Sequence, residues 1–233
     1  MTESTLPFGT ALVTGGTRGL GRALVLRLAR GGCATWTVAR RRRGLGALEA
    51  VARTEQLPIT AWQGDLTTRA APARIARRLA RDRVTLDLVI HNAGLLGPRV
   101  PLAQWSRRDF DAVMHANVMA PFDLTRRLLP RLPSDATIVF ISSGVTTAVR
   151  TAWGAYQVSK VAMENLARTF AKEIGPDGPR VLIIDPGAMR TAMRHDAYPD
   201  EDPMSVPDPD TTAAAILGIA AERGHASGER LRA

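Results

Sequence analysis

The sequence predicts an α/β fold: a single doubly wound domain with one mostly parallel sheet of about seven strands and helices on both faces. Three observations predict it. Short apolar runs, rich in β-branched residues, alternate with longer amphipathic stretches. A glycine-rich turn joins the first apolar run to the first helix. The chain has 233 residues, no internal repeat and no long linker, so one domain covering 1–233 is expected.

Each apolar run is predicted to form a buried strand, because strands covered on both faces are apolar throughout. Strands are predicted at 10–13, 33–39, 59–63, 86–91, 137–142 and 181–184, with a weak last strand at 229–232. Helices are predicted at 20–30, 44–56, 69–82, 105–131, 155–174 and 210–222. The Pro- and Asp-rich stretch at 198–210 breaks this periodicity and predicts a mobile loop inside the domain.

The composition excludes several classes of function. The net charge of +9 suggests nucleic acid, but only two of the 31 basic residues are lysines, and the arginines are scattered apart from a run at 40–43. Neither zinc-ligand spacing nor a basic tail occurs, so no nucleic-acid partner is expected. No apolar run reaches the roughly 20 residues of a membrane span, and residues 1–10 do not resemble an export signal. With Cys33 as its one cysteine, the chain is expected to be cytoplasmic and without a membrane partner.

The glycine-rich turn after the first strand predicts a phosphate-binding site. It runs from Thr14 to Gly21 with the spacing G-x-x-x-G-x-G and leads directly into an apolar helix. Glycines at a strand-to-helix turn let the backbone approach a pyrophosphate, and the helix N-terminus offers free N–H groups. This spacing differs from the commonest dinucleotide fingerprint, and a turn alone is an alternative interpretation.

The end of the second strand predicts a preference for NADP(H). An acidic residue commonly holds the ribose 2′-hydroxyl at this point, but here Ala39 is followed by four arginines. A guanidinium can grip a 2′-phosphate, and Arg18 in the glycine turn would point to the same place. The alternative is that Arg40 and Arg41 belong to a solvated helix start.

A second pattern predicts proton transfer. Tyr156 and Lys160 are four residues apart and therefore share a helix face. A nearby cation is expected to lower the pKa of a phenol, as acid–base work on a carbonyl requires. Ser143 ends the fifth predicted strand, at the edge where doubly wound folds bind their ligands.

With these motifs the sequence resembles the short-chain dehydrogenase/reductase family over nearly its whole length. The resemblance implies a Rossmann-type fold and an NADP-preferring, ketoreductase-like activity. It implies that Tyr156 is the acid–base catalyst, Ser143 orients the carbonyl, Lys160 binds the nicotinamide ribose, and Asn117 holds a water of the proton relay. The implied cofactor-binding residues are Gly15, Thr17, Arg18, Gly19, Leu20, Gly21, Arg40, Arg41, Asp65, Leu66, Asn92, Ala93, Gly94, Tyr156, Lys160, Pro186, Gly187 and Thr191.

Two departures from the family pattern touch none of the four catalytic residues. His91 replaces the first asparagine of an N-N-A-G motif, and Asp185 stands where an asparagine often precedes Pro-Gly. Family resemblance also implies a homodimer or homotetramer that pairs the helices at 105–131 and 155–174. An epimerase that recycles its cofactor and a non-catalytic NADP-binding regulator are the alternative functions.

The stretch at 188–210 is expected to cover the substrate, as in family members. Its apolar side chains, Met189, Met193, Tyr198 and Met204, accompany carboxylates at Asp196, Asp200, Glu201 and Asp202. Such an acidic patch would favour a polar substrate such as a keto-sugar or another secondary-metabolite carbonyl. The alternative is that these acids merely solvate a loop.

The remaining residues with reactive or aromatic side chains do not predict a further functional site. His115, His195 and His225 lack metal-ligand spacing, so no metal site is expected. Cys33 opens a buried strand and is expected to be inert. Trp153 either walls the substrate pocket or packs in the core.

Overall fold

Seven strands form the centre of the computed structural model, which describes residues 6–233. They are β1 (Thr10–Thr14), β2 (Ala34–Ala39), β3 (Ile59–Gln63), β4 (Leu88–His91), β5 (Thr137–Ile141), β6 (Arg180–Asp185) and β7 (Arg230–Arg232). They make one sheet in the order β3-β2-β1-β4-β5-β6-β7, and all six pairings are parallel. The predicted doubly wound α/β fold is therefore confirmed, including the weakly predicted last strand.

The helices connect the strands and cover both faces of the sheet. They are α1 (Gly19–Arg30), α2 (Arg42–Thr54), α3 (Ala71–Arg81), α4 (Arg107–Met114), α5 (Ala120–Leu128), α6 (Gly154–Ile174), α7 (Ala192–Ala197) and α8 (Pro209–Ala221). Short 3₁₀ turns lie at Leu102–Gln104, Leu129–Arg131, Gly144–Thr146 and Pro203–Ser205. No helix among residues 6–233 is both long and apolar enough to cross a membrane.

Successive residues along a strand pack into two separate hydrophobic cores, one on each face of the sheet. Val13 on β1 packs with α1 and α8 on one face, whereas Leu12 packs with α3, α5 and α6 on the other. Both side chains are fully buried. Burying a leucine or valine contributes about 1.5–3 kcal/mol, so the β-branched and aliphatic runs that predicted the strands also stabilise the sheet from both sides.

The helix predicted at 105–131 is not continuous. One turn of π-helix, His115–Met119, separates α4 from α5, and the 3₁₀ turn Leu129–Arg131 ends the segment. The π turn and α4 pack on α6, whereas α5 packs on α3. An apolar period near 3.6 residues does not distinguish an α-helix from one that contains a single wider turn.

The loop predicted at 198–210 contains more regular structure than expected, and its predicted mobility stays a prediction. Its 3₁₀ turn Pro203–Ser205 is followed by α8, which begins at Pro209 with the Asp208 side chain accepting a hydrogen bond from the Asp210 amide. The short helix α7 precedes it. A helix of six residues leaves too little periodicity to be predicted from the sequence.

Candidate active site

A cleft of about 370 Å³ opens at the carboxyl ends of the parallel strands. Its walls come from the turns after β1, β2, β3, β4, β5 and β6 and from α6 and α7. All the residues predicted to bind the cofactor line this cleft. Segments as distant in sequence as Gly15 and Thr191 are thereby brought to one site.

The glycine turn is shaped for close backbone approach. The Gly15 amide donates to the Val38 carbonyl at 2.8 Å and fixes the turn on β2, with Gly15 in the left-handed region at φ +76°. A Cβ on Gly21 would lie 2.3 Å from the Gly15 carbonyl oxygen and 2.4 Å from Nδ2 of Asn92. No side chain fits at Gly21, so the first turn of α1 lies directly against the loop, as a pyrophosphate site requires.

Three arginines stand at the predicted 2′-phosphate position. Arg18, Arg40 and Arg41 line the cleft, and all three are exposed. Their guanidinium groups form no ion pair with another side chain of residues 6–233. The walls of the cleft near them contain no carboxylate except Asp65, which follows β3 and accepts from the Thr67 amide at 2.9 Å.

The turn after β4 is tied to β1. The Asn92 side chain donates to the Thr14 carbonyl at 2.8 Å. The Thr14 hydroxyl accepts from the amides of Asn92 and Ala93 at 3.1 Å and 3.0 Å. Because β1 and β4 are neighbours in the sheet, these bonds hold the floor of the cleft in one position.

Ser143, Tyr156 and Lys160 meet at the end of β5. Ser143 lies in the turn after the strand, and Tyr156 and Lys160 lie on the buried face of α6. Hydrogen bonding by the Ser143 hydroxyl acts to lower the pKa of the Tyr156 phenol. The Lys160 ammonium donates to the Ile141 carbonyl at 2.7 Å and lies 5.8 Å from the Tyr156 ring centroid.

The pKa of Tyr156 moves in the direction opposite to that predicted. Burial raises it to about 12; the Ser143 hydrogen bond opposes this change, and the Asp185 charge adds to it. Burial also lowers the pKa of Lys160 to about 8, although the Glu164 charge acts to raise it. Desolvation of the phenolate is thus the dominant effect. Tyr156 is held in its protonated form, ready to act as an acid.

Asn117 does not line the cleft. It lies in the π turn, 1% exposed, and its amide group accepts from the Leu95 amide at 2.8 Å and donates to the Leu95 carbonyl at 3.0 Å. It also donates to the Ser159 hydroxyl at 2.9 Å. The side chain fastens the loop after β4 to α6, and its predicted role of holding a water of the proton relay stays a prediction.

A buried polar network that sequence reasoning missed lies behind Ser143, Tyr156 and Lys160. Glu164 accepts hydrogen bonds from Ser142 and, at 2.8 Å, from Thr146. Arg230 on β7 donates to it at 2.9 Å and to Asp185 at 3.1 Å. Burial acts to raise the pKa of Glu164, but these hydrogen bonds and the Arg230 charge outweigh it and lower the pKa. In the sequence, the one indication of this network is that Lys160 and Glu164 are four residues apart on the same predicted helix.

The substrate end of the cleft differs from the expected acidic patch. Trp153, Met189, Met193 and Tyr198 line it, and Leu96 completes the wall. Trp153 therefore both walls the pocket and packs in the core. Met204, predicted to contact the substrate, is instead 74% exposed.

The loop carboxylates point elsewhere. The acids in question are Asp196, Asp200, Glu201 and Asp202, none of which is among the residues that line the cleft. Glu201 is paired with Arg194, with 2.7 Å between Oε2 and Nε. The prediction of a carboxylate patch facing the substrate is wrong, because the acids are exposed to water or paired within the loop.

The other singled-out residues lie away from the chemistry. His91 is buried with its Nε2 2.8 Å from the Thr125 hydroxyl oxygen, and burial lowers its pKa to about 3. Burial also raises the pKa of the Cys33 thiol to about 11, which keeps it unreactive. The part of the chain from 6 to 233 contains no group of three or more His, Cys, Asp or Glu side chains arranged to hold a metal ion.

This fold and site define a class: proteins that bind a dinucleotide at the carboxyl edge of a parallel sheet beside a tyrosine, serine and lysine. The family model described as short chain dehydrogenase matches residues 9–202. The chain is 38% identical over 203 residues to the uncharacterized oxidoreductase YciK of Escherichia coli (strain K12), covering 85% of this chain and 80% of that protein. The chain belongs to the short-chain dehydrogenase family.

Two further comparisons agree with this assignment. An NADPH-dependent pterin aldehyde reductase of Arabidopsis thaliana is 33% identical over 188 residues, covering 79% of this chain and 76% of that protein. A crystal structure of a short chain dehydrogenase from Shigella flexneri 2a, complexed with NADP, superposes with a TM-score of 0.89 at 33% identity. It covers 96% of this chain and 95% of that one. The protein is an oxidoreductase of this family.

Proposed function

We propose that the protein is an NADP(H)-dependent oxidoreductase that interconverts a ketone or aldehyde with an alcohol. The observation that carries the proposal is the convergence of Ser143, Tyr156 and Lys160 on the same cleft as the glycine turn. In reduction the balanced reaction is carbonyl + NADPH + H⁺ → alcohol + NADP⁺.

The cradle fits the cofactor by its own geometry. Gly21 lets the start of α1 lie directly against the glycine turn at the cleft, where the helix N-terminus suits a pyrophosphate. Arg18, Arg40 and Arg41 offer forked donors for the 2′-phosphate, whereas an acid would repel it. The Shigella flexneri relative complexed with NADP supports the same preference.

The chain's own residues carry the proton. NADPH, when bound, supplies a hydride to the carbonyl carbon. The Ser143 hydroxyl donates to the carbonyl oxygen and orients it, and Tyr156 gives its phenolic proton to that oxygen as negative charge develops there. Lys160, charged at neutral pH, binds the nicotinamide ribose and stabilises the phenolate that remains. Asn117 keeps the loop after β4 in place beside this site.

The test is NADPH consumption with a panel of ketones, aldehydes and keto-sugars. Net oxidation of NADPH in proportion to alcohol formed is expected. An epimerase would change its substrate without consuming NADPH, and a regulatory protein would bind NADPH without turnover. No observation on the site favours either alternative, and the keto-sugar expectation loses its basis because the loop acids do not line the cleft.

The proposal includes assembly and location. Apolar side chains are exposed on α5 and α6, among them Phe122 at 36% and Val161 at 48%. These faces suit pairing with a second copy in a homodimer or homotetramer. A cytoplasmic location fits the single buried thiol, Cys33.

A further inference from the structure

The part of the cleft beyond Tyr156 is walled by apolar and aromatic side chains. Leu96, Val145, Trp153 and Tyr156 form a buried cluster, against which Met193, Ala197 and Tyr198 pack. In the proposed reaction, the hydroxyl groups of Ser143 and Tyr156 are both occupied by the carbonyl oxygen of the substrate. A substrate that carried several further hydroxyl groups would leave them without partners here, at a cost in binding.

The wall has an aromatic face. The ring centroid of Trp153 lies 5.8 Å from that of Tyr156 and 5.9 Å from that of Tyr198, with tilted planes. Aromatic rings at this spacing interact favourably in tilted or offset arrangements. A planar ring that enters the cleft with its carbonyl at Tyr156 therefore meets aromatic surface beside it.

Arg99 holds this wall in place. Its guanidinium carbon lies 4.1 Å from the Trp153 ring centroid. Its Nε donates to the Ala152 carbonyl at 3.0 Å, and its Nη1 donates to the Ala197 carbonyl at 2.9 Å. One side chain thus joins the turn before α6 to the end of α7.

The turn that presents Trp153 is fixed from both sides. Ala152 adopts φ +60°, a left-handed conformation that a non-glycine residue keeps only when its surroundings hold it there. Gly154, at φ +37°, has the Trp105 ring against it, and a Cβ there would lie 2.3 Å from the Trp105 Nε1. The indole of Trp153 is therefore positioned before a substrate arrives, which reduces the entropy lost on binding.

Arg194, the charged side chain that lines this end of the cleft, is engaged within the protein. Arg194 lies over Tyr198 with 3.8 Å between its guanidinium carbon and the ring centroid, and it is paired with Glu201. Both partners are part-buried. The wall therefore offers little to a charged substrate and favours a neutral one.

We propose that the substrates of this enzyme are neutral aryl ketones or aryl aldehydes. Trp153 determines this specificity, and Arg99 is a positioning residue that acts through Trp153. The inference rests on the proposed carbonyl reduction and names its substrate class.

The test compares three ketones under NADPH oxidation: acetophenone, cyclohexyl methyl ketone and dihydroxyacetone. The first two have similar size, but conjugation makes the aryl ketone intrinsically less reactive. We expect kcat/KM for acetophenone to exceed that for each of the others by about fivefold or more, the range of one aromatic contact.

Variants assign the preference to the wall. Trp153→Leu should lower kcat/KM for acetophenone about fivefold while changing that for cyclohexyl methyl ketone less than about twofold, and Trp153→Phe should restore most of the loss. Arg99→Met should raise KM for acetophenone with little change in kcat. Arg150→Met is the matched control, because Arg150 is an exposed arginine in the turn that precedes Trp153. NADPH titration of each variant verifies that the cofactor site is intact.

The outcomes separate the two proposals. Faster reduction of dihydroxyacetone, or an equal effect of Trp153→Leu on both methyl ketones, overturns the aryl preference and leaves carbonyl reduction standing. Failure of every carbonyl compound to oxidise NADPH overturns both.

Discussion

Arg230 and Glu164 form an ion pair with 2.9 Å between Nε and Oε1, which fastens the last strand of the sheet to the helix that carries Tyr156 and Lys160. Glu164 is almost fully buried and also accepts from Ser142, one residue before Ser143. Lys160 lies one turn before Glu164 on the same helix. The carboxylate therefore connects β7 with the turn that carries Ser143 and acts on Lys160 through its charge.

Glu164→Gln tests this connection through the pH profile of reduction. Glu164 acts to raise the pKa of Lys160, which burial lowers to about 8. Without the carboxylate that pKa should fall further, so Lys160 should lose its proton at lower pH. We expect the alkaline limb of the kcat profile between pH 6 and 10 to move to lower pH. Glu173→Gln, on the exposed end of the same helix, should leave the profile in place; an unmoved limb in Glu164→Gln would contradict the electrostatic role.

Tyr156→Phe removes the proton donor and keeps the ring. We expect turnover to fall by about 10²-fold or more, the usual contribution of a general acid. NADPH affinity, measured by fluorescence titration, should stay within about threefold, because the ring still fills its place in the cleft. Tyr198→Phe, the same change at the other tyrosine, should retain most of the turnover. Normal turnover in Tyr156→Phe would refute the mechanism.

The cofactor preference is tested by replacing Arg40 and Arg41 with alanine together. Two charge-assisted bonds to the 2′-phosphate would be lost, so NADPH binding should weaken by about 1.5–3 kcal/mol or more, while NADH binding changes little. Calorimetric titration of both cofactors measures the difference. The matched control is alanine at Arg42 and Arg43, which belong to the same run but do not line the cleft. Equal affinity of the unaltered protein for both cofactors would contradict the predicted preference for NADPH.

His91 should make the fold sensitive to mild acid. The pKa of His91 in the folded chain, about 3, lies below the ordinary 6.5. In mild acid the unfolded chain therefore binds a proton at His91 that the folded chain does not bind. The stability contribution is full above pH 6.5 and is lost as pH falls below it. Between pH 7.5 and 5.5 this group should cost about 1.4 kcal/mol of unfolding free energy. Urea unfolding at both pH values should show that loss in the unaltered protein and not in His91→Gln, which keeps a donor toward Thr125. An equal loss of unfolding free energy in the unaltered protein and in His91→Gln would contradict the assignment of this loss to His91.

The assembly prediction uses the exposed face of α6. Val161→Glu places a charge on the apolar surface that the proposed dimer would bury, and an unpaired buried charge is costly. We expect light scattering at micromolar concentration to give a dimer or tetramer mass for the unaltered protein and a smaller mass for the variant. Val149→Glu, which alters a 94% exposed loop residue, should keep the parent mass. A monomer mass for the unaltered protein would end the proposal.

The sequence predicted the features that depend on neighbouring residues. The glycine turn, the Tyr156–Lys160 spacing and the seven strands all follow from local pattern. The family resemblance predicted that Asp65, Asn92 and Thr191 bind the same cofactor, and all three line one cleft. Strand ends shifted by one or two residues, because apolar runs extend past the last ladder hydrogen bond.

The features that escaped prediction depend on contacts far apart in sequence. Arg230 is 66 residues from Glu164, and Arg99 is 53 residues from Ala152, with no spacing rule to connect either pair. The loop acids appeared as a patch because the sequence alone does not reveal that Arg194 folds back onto Glu201. The pKa of Tyr156 was assigned the wrong direction because the sequence does not reveal that the phenol is buried, and burial is the largest effect on this pKa.

The π turn at His115–Met119 bears on how the length of this chain can vary. It adds one residue between α4 and α5, and those helices pack on different partners, α6 and α3. The wider turn absorbs that extra residue, so deleting a single residue there would close it to an ordinary α-helix and leave α5 facing α3 as before. The Asn117 side chain, which binds the Leu95 backbone from within the turn, would be removed or displaced. The packing of the helices therefore tolerates a chain one residue shorter at these five positions, whereas the same deletion inside α4 or α5 would rotate the rest of the helix by about 100°.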